Sequence, residues 1–74
     1  MNIGDKVKLV DGMALYKPRI VNPTVRHFLE TQVCTVKEIK GDHFRIQECG
    51  HIDKPTAFIP KSAVRVIDEY GRLL

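Results

Sequence analysis

Thr31-Gln32-Val33-Cys34-Thr35-Val36-Lys37-Glu38-Ile39-Lys40-Gly41-Asp42-His43-Phe44-Arg45-Ile46-Gln47-Glu48 decides the fold. Thr31 to Lys40 is rich in β-branched side chains, which suit a pleated, half-buried surface. Gly41-Asp42 reads as a two-residue hairpin loop with Gly first, the type II′ preference. His43 to Glu48 alternates polar and apolar, so Phe44 and Ile46 face inward. That turn pairs Ile39 with Phe44. Matching Val36 to Ile46 requires a shift of one residue, and a bulge near Lys37-Glu38 supplies it.

On the N-terminal side, Gly4-Asp5 opens a strand, Lys6-Val7-Lys8-Leu9-Val10. Val7 and Leu9 face the core, Lys6 and Lys8 face water, and Asp11-Gly12 ends the strand. Residues 12–32 form a long connection. Pro18 and Pro23 forbid a continuous helix. The apolar content of this stretch predicts an ordered loop folded over the core. Within it, Pro23 to Leu29 suits one short helical turn, with Asn22 as its cap.

On the C-terminal side, Cys49 to Pro55 is a second loop and Thr56-Ala57-Phe58-Ile59 a short strand. Pro60-Lys61-Ser62-Ala63 suits a 3-10 turn, and Val64-Arg65-Val66-Ile67 a closing strand with Val64 and Val66 inward. The fold class predicted is all-β: a small five-stranded SH3-like barrel over residues 1–67, with a long first loop and a 3-10 turn before the last strand. Residues 68–74 are a tail. Closure would remove the exposed edges of so small a sheet.

The chain has 74 residues, enough for one domain and a thin core. Apolar residues are 43% and charged residues 28%, which excludes disorder by composition. The net charge is +3, and the excess lies in the N-terminal half: residues 1–37 carry six basic and three acidic side chains, residues 38–74 six of each. This surplus reads first as solubility, and it is compatible with an anionic partner such as nucleic acid or a wall polymer. No apolar run approaches the roughly 20 residues of a membrane helix, so no membrane partner is expected. No signal peptide is visible. Synthesis in the cytoplasm is expected, and a role at the cell wall would follow lysis or another release route.

No catalytic motif is present, and the chain is expected not to be an enzyme. Cys34 and Cys49 would stand opposite each other in an unbulged hairpin, close to bridging geometry, but both read as free thiols. Cys49-Gly50-His51 offers two metal ligands, yet a structural zinc needs four and the second pair is missing. No metal and no cofactor is expected.

Three stretches resemble SH3-like modules: Gly4 to Leu9, the hairpin Val33 to Ile46, and Phe58 to Val64. The pattern is most similar to the bacterial SH3-like (SH3b) cell-wall-binding domain of phage endolysins and related peptidoglycan hydrolases. That family pattern runs Gly-x-x-Val-x-Val, a Gly-Ala-x-Tyr-like segment, Thr-Tyr-Thr-Val and a Gly-Asp turn. Here the places read Gly4 to Leu9, Gly12 to Tyr16, Gln32 to Val36 and Gly41-Asp42. Two departures stand out. Cys34 replaces the Tyr, and the chain has no Trp. The resemblance implies a non-catalytic role: binding wall glycan or peptide, alone, as a homo-oligomer, or attached to a hydrolase.

Loop 12–32 is the expected ligand surface, through Tyr16, Lys17, Arg19, Arg26 and His27. Aromatic faces can stack and arginines can pair with anions. The bland alternative is that Tyr16 and Phe28 cap the core. By analogy with the groove of SH3-like barrels, His51 and Lys54 join the set, with Phe58 assigned to the core. Cell-wall targeting is the first functional reading. A KOW-like nucleic-acid or ribosome-associated module is the second, since such modules also begin Gly-Asp-x-Val. The third is a protein-interaction module whose oligomer would use exposed Ile20, Val21, Val25 and Leu29.

Overall fold

The computed structural model describes residues 1–16 and 20–74. Among these residues are five strands: β1 (Lys6–Leu9), β2 (Cys34–Lys40), β3 (His43–Ile46), β4 (Ile59–Pro60) and β5 (Val64–Val66). All pair antiparallel, in the order β4-β3-β2-β1-β5. One helix, α1 (Pro23–Thr31), lies between β1 and β2.

The central hairpin forms as its sequence dictates. Lys40 pairs with His43, Ile39 with Phe44, and Val36 with Ile46, with the register shift between Val36 and Glu38. Gly41 has φ +60° and Asp42 does not share a positive φ, the signature of a type II′ turn. Beyond Ile46 the chain curls into a 3-10 turn, Gln47–Cys49, and leaves the sheet. There the Glu48 carboxylate takes the place of the missing strand. Its Oε1 accepts the Thr35 N–H at 3.0 Å and its Oε2 the Thr35 hydroxyl at 3.3 Å. Lys6 Nζ donates to the same hydroxyl at 2.6 Å. Thr35 is buried, so this network satisfies groups that water does not reach.

The expected short helical turn is a nine-residue α-helix. Pro23 occupies its first turn, and Asn22 Oδ1 accepts the Thr24 N–H at 2.9 Å. Val25 and Leu29, four residues apart, are buried on one face, while Arg26 pairs with Glu30 at 3.6 Å on another. The helix takes Thr31 from the expected strand, so β2 begins at Cys34. The fold is therefore a mixed antiparallel sheet and helix, not all-β.

The expected closure does not occur: β4 and β5 are the two ends of an open sheet. β4 is two residues long and contains Pro60, which lacks an N–H for further pairing. The 3-10 turn Lys61–Ala63 then carries the chain across to β5. The outer edge of β5 is covered by the C-terminal residues: Leu74 N–H donates to Val66 O at 3.0 Å, and Ile67 bridges to Leu73.

The core is one cluster drawn from every element. It includes Val7, Leu15, Val25, Leu29, Val36, Phe44, Ile46 and Ile59. Val21, Val25 and Leu29 are buried in it, which overturns their expected place on an oligomer surface; Ile20 is exposed. No helix among the described residues is long and apolar enough to cross a membrane.

Candidate functional site

Among the described residues, Lys40, His43, Asp53, Lys54, Pro55 and Phe58 line an open groove of about 480 Å³. Its parts come from three places. The type II′ turn sets Lys40 and His43 side by side at the end of the hairpin. Lys54 is extended and leads into the 3-10 turn Pro55–Ala57, which delivers Phe58 to the groove. Lys61 N–H donates to Asp42 O at 2.9 Å and fastens the following turn to the hairpin tip.

Cations surround the Phe58 ring. Lys40 Nζ and Arg45 Cζ each lie 5.7 Å from its centroid. Arg45 is also fixed by the loop beyond it, donating to Ile52 O at 2.8 Å and Gly50 O at 3.3 Å, with Glu38 at 3.8 Å. Lys40, Lys54 and Asp53 make no ion pair among the described residues. The groove thus presents two uncompensated ammonium groups and one carboxylate around a half-buried aromatic ring.

Among the described residues, those expected to bind ligand are not gathered into one site. Lys54 lies in the groove; His51 is exposed in the preceding loop and does not line it. Tyr16 and Arg26 meet elsewhere, with Arg26 Cζ 5.1 Å from the ring centroid. Since Arg26 also pairs with Glu30, both groups have internal partners. His27 is exposed and packs edge-on to Phe28 at 6.4 Å. Lys17 and Arg19 lie outside the described residues. Lys40, His43 and Asp53 were not expected in the site. The pairing of Lys40 with His43 follows from the hairpin arithmetic, but their meeting with Phe58 depends on a contact distant in sequence.

Cys34 and Cys49 are both free and buried. The bulge breaks the register that would have set them opposite each other. Burial pushes the Cys34 thiol up to about 12, with Glu48 and Cys49 adding to the rise and Lys6 opposing it. Its Sγ lies 3.6 Å from Phe28 O and 3.7 Å from Gln32 O. Burial, and secondarily Glu48, raises Cys49 as well. Thiols held protonated in this way are poor nucleophiles. Among the described residues, no three His, Cys, Asp or Glu side chains converge as a metal site requires.

No protein-family profile, curated protein or solved structure matches this chain.

Proposed function

We propose that this chain is a non-catalytic, SH3-like binding module that targets bacterial cell wall through the groove beside Phe58. The bulged hairpin, the place of β1 between β2 and β5, and the 3-10 turn joining β4 to β5 support the SH3-like reading. The groove carries the binding reading: an aromatic ring and a Pro form its apolar wall, and Lys40 and Lys54 stand on it without ion partners among the described residues. The protonated, buried thiols support a role without covalent chemistry. Such a module would hold an attached or associated hydrolase near wall glycan or peptide, acting after lysis or release.

The test is co-sedimentation of the purified chain with bacterial cell walls, beside retention of a single-stranded oligonucleotide. Retention on walls that falls at least fivefold in a Lys40→Gln, Lys54→Gln variant supports the proposal. A Tyr16→Ala variant should bind walls as the parent does. Nucleic acid is the second reading, favoured by the same two ammonium groups; retention of the oligonucleotide without walls would put it first.

A further inference from the structure

Resting on the wall-targeting reading, we infer that the groove recognises the phosphodiester units of an anionic polyol-phosphate polymer in the wall, rather than neutral glycan or peptide. Three observations lead there. The first is charge. Lys40 and Lys54 line one groove, and among the described residues neither has an acidic partner within ion-pair distance. Glu38, two residues before Lys40, is engaged by Arg45 instead. Two ammonium groups are point charges suited to the oxygens of successive phosphates.

The second observation is the state of the aromatic ring. Neutral sugars and nucleic-acid bases are bound by stacking on an open aromatic face. Phe58 already holds Lys40 Nζ and Arg45 Cζ at 5.7 Å each, and it is half-buried. The ring therefore orients cations instead of serving as a platform. That separates the groove from a base-stacking surface and favours a ligand whose recognition is electrostatic.

The third is Asp53. A site for bare polyphosphate would gain nothing from a carboxylate among its lysines. A carboxylate does accept hydrogen bonds from hydroxyl groups. Lysines for phosphate oxygens and Asp53 for a hydroxyl together match a chain in which phosphodiesters alternate with a polyol. The frame is preorganised: Lys61 N–H to Asp42 O, Phe58 N–H to Pro55 O and Arg45 to Ile52 O tie the groove's walls together.

The experiment titrates an isotope-labelled chain with a synthetic glycerol-phosphate oligomer while following backbone amide shifts. It is paired with co-sedimentation on intact walls and on walls stripped of phosphodiester polymers by hydrofluoric acid. We expect the shifts to concentrate at Lys40, His43, Lys54 and Phe58. Lys40→Gln with Lys54→Gln should weaken the oligomer at least tenfold while melting stays within about 2 °C, since both side chains are exposed. Asp53→Asn should weaken the glycerol-phosphate oligomer more than polyphosphate. Intact walls should retain the chain and stripped walls should not. Equal retention on both would overturn this inference and leave wall targeting standing. Retention on neither overturns the wall reading and this one with it. Shifts centred on Tyr16 and α1 would also overturn it, as would an oligonucleotide of matched charge binding as tightly.

Discussion

Replacing Glu48 with Ala should destabilise the fold by about 2–4 kcal/mol, although Glu48 lies outside every strand. At Thr35, β2 is paired with β1 on one side but has no strand on the other, because β3 has already turned away into the 3-10 segment. The Glu48 carboxylate fills that gap with bonds of 3.0 and 3.3 Å to Thr35. A hydrogen bond to a charged group contributes about 1.5–3 kcal/mol, and a buried donor left unpaired costs about 1–3 kcal/mol. Thr35 is only 7% exposed, so water cannot readily replace the lost acceptor. A 74-residue domain has roughly 4–11 kcal/mol in all at typical stabilities, so the loss is a large fraction. At about 4–8 °C per kcal/mol, the melting temperature should fall by roughly 8–32 °C. Glu48→Gln should fall in between, because its amide oxygen still accepts the Thr35 N–H. Thr35→Val should cost about 1 kcal/mol, since the backbone bond to Glu48 survives. Urea unfolding followed by circular dichroism measures all three. A Glu48→Ala variant within about 0.5 kcal/mol of the parent would refute the idea that this carboxylate completes the sheet.

The remaining predictions concern the core, the helix start and the thiols. Ile46→Ala should cost about 2–5 kcal/mol, since Ile46 is 1% exposed and its truncation leaves a cavity; a loss under about 0.5 kcal/mol in urea melts would contradict the hairpin's facing. Asn22→Ala should cost about 0.5–2 kcal/mol through the lost cap on α1, visible as a lower thermal midpoint, with Asn22→Asp close to the parent. The folded-state thiol of Cys34 is raised from 9.0 to about 12, so its contribution to stability is full below pH 9 and is lost as pH climbs toward 12. Relative to Cys34→Ala, the parent should therefore weaken more steeply between pH 8.5 and about pH 10.5, and a parallel pH profile of the two would count against burial as the cause.

The parts of the fold that sequence revealed are those governed by local rules. The hairpin is legible because turn chemistry and period-two alternation act over neighbouring residues, and even the bulge follows from two incompatible pairings. The 3-10 turn before β5 is legible for the same reason. The full length of α1 is less legible, although its signals are in the sequence. Val25, Phe28 and Leu29 stand at helical spacing, and Arg26 and Glu30 are four apart. Two prolines and the β-branched run after Thr31 are competing signals for loop and strand. In fact Pro23 is compatible with a helix because it sits in the first turn, where its missing N–H costs nothing.

Closure and the site depend on long-range geometry. Whether β4 meets β5 is decided by how Pro60 and the Lys61–Ala63 turn direct the chain, and by the C-terminal residues that occupy the outer edge of β5. The groove is a sharper case. Tyr16 and Arg26 look like ligand contacts in sequence because an aromatic and a cation near each other suit stacking and anion binding. In the fold they satisfy each other, and Glu30 takes up the rest of the Arg26 charge. Lys40 and Lys54, by contrast, are unremarkable surface lysines in sequence. They acquire meaning only when the hairpin tip and the Asp53-Lys54-Pro55 loop arrive on the same side of Phe58. A charged residue's availability for a ligand is set by which partners the fold leaves it. On that criterion Lys40 and Lys54 are better candidates for the proposed binding surface than Tyr16 and Arg26, which have each other as partners.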